Sequence, residues 1–472
     1  MVKIVKKSKP MTVDPIKVSQ TMGATLAFLG LDKSMPLLHG NQGCSAYGKI
    51  LFIRHFLEPV PIQTTALDHL SAIMEPDKNL KEAMLTICKK DKPEVIGVLT
   101  TGVTEAEGTD IKRVIKEFRE EFPEHDDTLL IPVSVPDYQG CLESGYAKAV
   151  ESIIENVIVQ RFIEKRSKSH SNDLVIIPSA MHTPADIETM RLIIEMFGLN
   201  PIFLPDLSLS LDGHLSDLRY SPISYGGCSK TLFERIANSL GVITVGRSVK
   251  NAGMLLHLRA GIPFFHMDGL IGLEANDSFI SILMQLSGNA VPEMFKRQRK
   301  RLRDAYLDTH FYLGQSKMAV ASDPDLLIAL QSLAAEIGIE LQYGVTSDIG
   351  YSADVKSALQ ESNYQKVQEG DFEDFRKLIC SYSVDLVVAN SYLTEFCEEQ
   401  ELAHYRAGYP IYDRIGGSRV SRVGYEGTAD IAVEMANLIW QRRPEGAEPY
   451  ISDFRRYSGD AYDTASTSYA SH

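Results

Sequence analysis

Short β-branched runs alternate with longer amphipathic stretches along almost the whole chain, and this alternation restricts it to parallel sheets covered by helices. Residues 95–100 (Val-Ile-Gly-Val-Leu-Thr) read as a buried strand, 111–122 as a helix, 129–135 as a strand and 145–158 as a helix. A polar stretch, 164–172, separates this unit from a second in which 174–177, 201–204 and 242–245 are strands and 185–197 and 229–239 helices. A third unit opens on a basic helix at 293–308. Strands at 317–321 and 384–389 and helices at 324–336 and 428–441 follow.

A chain of 472 residues is too long for one hydrophobic core and suits about three units of ~150 residues. The expected architecture is α/β, with three doubly wound Rossmann-like domains and mainly parallel sheets. The expected limits are 1–165, 172–292 and 293–455, with 456–472 an extended or disordered tail poor in periodicity.

Composition removes several function classes. A net charge of −14 argues against nucleic acid as the main partner, because phosphate binding needs clustered Lys and Arg. No run approaches the ~18 apolar residues of a membrane span. The most apolar stretch, 253–273, is broken by Arg259, Pro263 and Asp268. Six thinly spread cysteines point to a reducing cytoplasm and not to a disulfide framework. No GxGxxG follows the first strand and no GxxxxGK[ST] occurs, so nucleotide binding lacks a motif.

Ligands of open parallel sheets gather beyond the carboxyl ends of strands. Thr100-Thr101-Gly102, Pro136-Asp137-Tyr138, Ser322-Asp323-Pro324 and Asn390-Ser391-Tyr392 are such ends, and each also suits an ordinary turn or N-cap. Cys44 is the distinctive residue. It closes the run His39-Gly40-Asn41-Gln42-Gly43-Cys44 and precedes an apolar helix at 45–56. A thiol at a helix N-terminus is expected to have a lowered pKa, and the two glycines to let a bulky ligand approach. An iron–sulfur cluster takes about four thiolates, and the chain has no CxxC. Cys44 is therefore either a packed thiol or one part of a site that another protein completes. Cys141 is the second candidate ligand. Cys88, Cys380 and Cys397 read as core, Cys228 as ambiguous, and His39 and His55 as structural histidines.

The run His39 to Tyr47, followed by Arg54-His55-Phe56-Leu57-Glu58-Pro59, resembles the β-type subunits of the nitrogenase family. The likeness continues through Lys92-Pro93, Thr100-Thr101, Ile271-Gly272-Leu273-Glu274-Ala275, Asp323-Pro324-Asp325 and Asn390-Ser391-Tyr392. It ends with Tyr409-Pro410-Ile411-Tyr412-Asp413-Arg414 and Gly424-Tyr425-Glu426-Gly427, and spans roughly 14–443. A catalytic β-subunit would supply three cysteines and a serine to its P-cluster. Here the first cysteine falls on Ser19, the second is Cys44, the third falls on Gly102, and the serine position holds Cys141.

The resemblance thus implies the β-like subunit of the scaffold on which the iron–molybdenum cofactor matures, a non-turnover assembly protein supporting nitrogen fixation. It implies pairing with NifE in an α₂β₂ heterotetramer and a [4Fe–4S] cluster at the subunit interface. Cys44 would be the one ligand from this side and NifE would supply the rest. A cofactor precursor from NifB would be held mainly by NifE, and NifH would dock transiently. Three other readings stay open: a catalytic β-subunit with an altered P-cluster, a vanadium-pathway scaffold paralogue, and an unrelated Rossmann-like enzyme acting on nucleotide sugars.

Overall fold

Each unit's leading apolar run becomes an interior strand of its own sheet in the computed structural model, which describes residues 2–6, 12–68, 76–159, 172–215 and 221–442. The first sheet has the order β3-β2-β4-β5, from β2 (Ser34–His39), β3 (Gln63–Thr64), β4 (Val95–Thr100) and β5 (Leu129–Val133). The second repeats that order as β7-β6-β8-β9, from β6 (Asp173–Pro178), β7 (Asn200–Phe203), β8 (Gly241–Val245) and β9 (Phe264–Met267). The third runs β1-β12-β11-β10-β13-β14. Its strands are β1 (Lys3–Val5), β10 (Lys317–Ala321), β11 (Glu340–Thr346), β12 (Lys366–Glu369), β13 (Leu386–Ala389) and β14 (Ala403–Arg406).

Every strand pairing is parallel. The chain winds outward in both directions from β2, β6 and β10 in their respective sheets. The doubly wound α/β class is therefore as expected. Strand order reverses between β2 and β4, between β6 and β8, and between β10 and β13, and ligand crevices open at such points.

Several elements differ from the sequence reading. Lys3–Val5, placed with the first unit by its position, instead adds an edge strand to the third sheet, where Ile4 pairs with Val367. β2 was not anticipated, because Pro36 interrupts the apolar run. It is tolerated there because β3 reaches only Leu37 and Leu38, leaving the strand an edge at Pro36. The helix carrying Cys44 begins earlier than expected, at Gln42. The proposed tail, 456–472, lies outside the described residues, as does most of the 164–172 linker. Among the described residues no helix is long and apolar enough to cross a membrane.

The units lock together through buried polar groups. Glu143 accepts the Asp325 backbone N–H at 3.0 Å, and Asp325 in turn accepts the Ser248 hydroxyl at 2.6 Å and its N–H at 3.0 Å. One residue from each unit thus meets its neighbours at the centre. Burial raises the Glu143 carboxyl well above the usual range, with the Asp325 charge adding to it.

The helices Gln20–Leu29 and Leu142–Ile153 cross with their backbones in contact. A Cβ on Gly23 would lie 1.8 Å from the Leu142 oxygen, and one on Gly145 would lie 1.9 Å from the Gln20 oxygen. Gly97 plays a similar part inside β4, where the fully buried Phe28 ring fills the space a Cβ would need.

Candidate cluster-ligand site at the first switch point

The carboxyl ends of β2 and β4 are tied together before any ligand is considered. The His39 carbonyl accepts the Thr101 hydroxyl at 2.9 Å and the Thr104 hydroxyl at 3.1 Å. Thr101 begins the short helix Gly102–Ala106. Gly40 permits this closure, because a Cβ there would sit 2.6 Å from Thr101 Oγ1. Its N–H donates to Thr65 Oγ1 at 3.1 Å. Gly40 therefore serves strand packing, and not the approach of a ligand that the sequence suggested.

The second glycine differs. Gly43 is exposed, and a Cβ there would meet only Asn41 Oδ1, at 3.4 Å. Cys44 lies beside it, half-buried in the first turn of the helix Gln42–Phe56. Its thiol has one weak contact, with Asn41 Oδ1 at 3.6 Å.

Asp137, from the loop after β5, organises the floor of this site. It accepts the Thr21 hydroxyl at 2.7 Å and the Gly102 backbone N–H at 3.2 Å. One carboxylate thus links the starts of the Gln20–Leu29 and Gly102–Ala106 helices. Its charge also reaches Cys44. Burial, and after it the Asp137 charge, raises the Cys44 thiol above its ordinary pKa. The expected lowering by the helix N-terminus is not found. Desolvation of a half-buried thiol beside a carboxylate outweighs the exposed amides.

Cys141 is placed differently. It is fully buried at the N-terminus of the Leu142–Ile153 helix, where the Ser144 hydroxyl bonds its backbone N–H and carbonyl, each at 2.8 Å. Burial first, and then the Asp323 and Glu143 charges, raise its thiol well above the ordinary range. Cys44 responds to Asp137, and Cys141 to carboxylates at the central seam. Ser19 starts the Gln20–Leu29 helix without a side-chain capping bond. Among the described residues, no group of three or more His, Cys, Asp and Glu side chains could hold a metal ion. The donor set on this chain fits a cluster only if other thiolates come from outside it.

The remaining candidates are structural. His39 Nδ1 meets Thr65 Oγ1 at 3.1 Å, and burial lowers the ring to about 4, so it is neutral. His55 Nδ1 accepts the Ile411 N–H at 2.9 Å, and burial lowers that ring to about 3. Cys88, Cys228 and Cys397 are buried as core thiols. Cys380 is exposed, contrary to expectation, because it falls next to the last residue of its helix, Phe372–Ser381, on the outer side.

Apolar side chains that a solitary chain would hide run along the helix of Cys44 and the segments at Gly102 and Asp137. On its own helix Tyr47, Ile50, Ile53 and Leu57 are exposed, Ile50 by 56%. Val103 and Tyr138 are exposed beside Gly102 and Asp137. This spacing gives the helix an apolar face that none of the described residues covers. Sequence reading placed Asp137 at a strand end without assigning it a role, and it missed this face. The signal for the face was present in 45–56, where Lys49 and Arg54 are too few to make one side of the helix polar and Tyr47, Ile50 and Ile53 fall among them.

The family model for nitrogenase component 1 type oxidoreductases matches residues 19–440. The nitrogenase iron-molybdenum cofactor biosynthesis protein NifN of Klebsiella pneumoniae is 40% identical over 94% of this chain and 94% of its own length. The NifN protein of Nostoc sp. strain PCC 7120 is 38% identical over 92% of this chain and 94% of its own. Among solved structures, "Nitrogenase Cp1 at pH 6.5" superposes with a TM-score of 0.85 at 28% identity, covering 94% of this chain and 98% of that one.

Proposed function

The chain belongs to the nitrogenase component 1 type oxidoreductase family, alongside its NifN proteins, and from that premise we propose how it serves cofactor assembly. It is a scaffold subunit for iron–molybdenum cofactor biosynthesis. It pairs with NifE in the cytoplasm as an α₂β₂ heterotetramer, and the exposed apolar face around Tyr47, Ile50 and Ile53 is the surface that pairing covers. Cys44 lends one thiolate to a [4Fe–4S] cluster at that seam, and NifE supplies the others. NifB delivers the cofactor precursor, which NifE mainly holds, and NifH docks transiently.

The carrying observation is that Cys44 alone, of the positions a P-cluster would use, offers a half-buried thiol at an open helix start, while Ser19 and Gly102 bear no thiol. When bound, the cluster supplies electron relay. This chain's part is to place Cys44, exclude water with the apolar face, and hold the neighbouring helix starts through Asp137. Cluster binding has to offset the raised thiol pKa, which iron coordination does by taking the thiolate. Cys141 is a packing residue, since its thiol is enclosed among carboxylates.

The test is Cys44→Ala in the co-purified complex. The thiol's hydrogen-bonding contact among the described residues, with Asn41 Oδ1, is weak, so the substitution costs the fold under about 1 kcal/mol. Iron, sulfide and the cluster's EPR signal should fall, while Cys141→Ala keeps all three. Full iron and an unchanged signal in Cys44→Ala would refute the assignment.

A further inference from the structure

The helix that carries Cys44 starts irregularly, and the irregularity concerns the sulfur. Asn41 is its N-cap, with extended backbone at φ −84° and ψ 168°. An asparagine so placed ordinarily accepts a backbone N–H from the second or third helical residue, here Gly43 or Cys44. Asn41 makes no such bond. Its Oδ1 instead accepts the Cys44 thiol at 3.6 Å, and its side chain makes no other hydrogen bond among the described residues. The backbone beneath it is fixed from β3, where the Thr64 hydroxyl donates to the Gly40 carbonyl at 2.9 Å and to the Asn41 carbonyl at 3.3 Å. A tethered backbone thus holds an uncommitted side-chain amide against the candidate ligand.

Iron coordination reverses what that amide must do. A thiol gives up its proton on binding iron, and the thiolate left behind only accepts hydrogen bonds. Oδ1 cannot then face it, since two acceptors repel. A half-turn about Cβ–Cγ, a soft and nearly two-fold torsion, exchanges Oδ1 for Nδ2 and turns the contact into an N–H···S bond. Gly43 leaves room for the turn, because even a Cβ there would stand 3.4 Å from Oδ1. Hydrogen bonds to the sulfurs are among the levers that set a cluster's reduction potential. A donor stabilises the more negative, reduced cluster and so raises the potential. The Asp137 carboxylate, whose charge acts on the same sulfur, works in the opposite direction.

We propose that Asn41 is a positioning residue for the cluster: once Cys44 binds iron, its side-chain amide donates an N–H···S bond to the ligating sulfur and holds the reduction potential up. This rests on the reading of Cys44 as a ligand. Asn41 itself supplies no ligand to iron and acts through Cys44.

The experiment is an EPR-monitored redox titration of the co-purified complex, as parent, Asn41→Gly and Asn41→Ser. Glycine and serine are both accepted at an N-cap. Glycine has no side-chain donor, and the shorter serine hydroxyl stops short of the sulfur. Both variants should keep the parent's iron and sulfide while their midpoint potential shifts to more negative values. A midpoint equal to the parent's, or higher, in an iron-replete variant would overturn the proposal. If one variant loses iron, the other decides. Loss of iron in both would also overturn it, because Asn41 would then hold the helix start and not tune the cluster. Cys44→Ala keeps the two readings apart. Iron lost there, beside unmoved midpoints in the Asn41 variants, refutes only the role of Asn41, whereas full iron there refutes the ligand assignment on which that role depends.

Discussion

Replacing Gly145 by alanine tests whether the backbone contact between the Gln20–Leu29 and Leu142–Ile153 helices sets the geometry of the first sheet. The new methyl carbon would lie 1.9 Å from the Gln20 oxygen and 2.5 Å from its carbonyl carbon. Ordinary van der Waals contact begins near 3.4 Å, so the helices must part by about 1.5 Å. Neither clashing atom belongs to a flexible side chain, so local adjustment cannot absorb it. A gap of even 0.5–1 Å forfeits roughly a quarter to a half of each contact's dispersion energy. The residues that would lose contact, among them Met22, Leu26, Tyr146 and Val150, are all buried. The bond from Gln20 Nε2 to Ser144 Oγ, 2.8 Å, lies in the same crossing. Overpacking and lost contact together predict a destabilisation of about 3–5 kcal/mol. That is a large share of a typical domain's stability. Equilibrium urea unfolding of the full chain, followed by circular dichroism, measures it. Gly43→Ala is the control, since its methyl group meets only Asn41 Oδ1 at 3.4 Å and it lies in a helical turn. An unfolding midpoint for Gly145→Ala equal to that of the parent or the control would refute the reasoning.

Three further outcomes follow from the same geometry. Asp137→Asn can still accept the Gly102 N–H through Oδ1 and donate from Nδ2 to the Thr21 hydroxyl, whose proton turns to the Val135 carbonyl, but it removes the charge that raises the Cys44 thiol. Cys44 should therefore alkylate faster at fixed pH near neutrality, read by peptide mass spectrometry, and an unchanged rate would remove Asp137 from the electrostatics of the site. Asp323 has its carboxyl raised from 3.8 to about 7, chiefly by burial. The folded state thus keeps a proton that the unfolded chain sheds, and this contribution to stability is lost as pH rises from about 4 to about 7 and is flat above. Asp323→Asn should make that decline shallower in urea titrations across the window, and an identical slope would contradict it. Ile50→Asp, on the exposed apolar face, should change the chain's own stability by less than about 0.5 kcal/mol. It should abolish co-purification with the partner subunit, and intact pairing would show that this face is not the interface.

Much of the fold was legible in the sequence because an interior parallel strand must be apolar on both faces. Val95–Thr100 and Lys317–Ala321 carry that signature and lie where the pattern placed them. β2, β9 and β14 do not. Ser34–His39 contains a proline, while Phe264–Met267 and Ala403–Arg406 each contain a histidine and are only four residues long. Their strand character comes from the neighbours they pair with, which a local pattern cannot express.

At the candidate site the division is similar. The run ending in Cys44 identified itself, because glycines and a thiol before an apolar helix are visible within a dozen residues. The missing thiols at Ser19 and Gly102 were equally plain once the resemblance had aligned them. Only the tertiary structure could bring Thr21, Gly102 and Asp137 to one carboxylate, separate the surroundings of Cys44 from those of Cys141, and show that burial raises the Cys44 thiol. The sequence by itself determined the interior strands, the helices and which side chains are available for chemistry, since these follow from local periodicity and residue type. The tertiary structure decided which of those side chains meet and what charge state they hold. Contacts across more than 100 residues and the loss of water around a group are properties of packing, and no local stretch of chain encodes them.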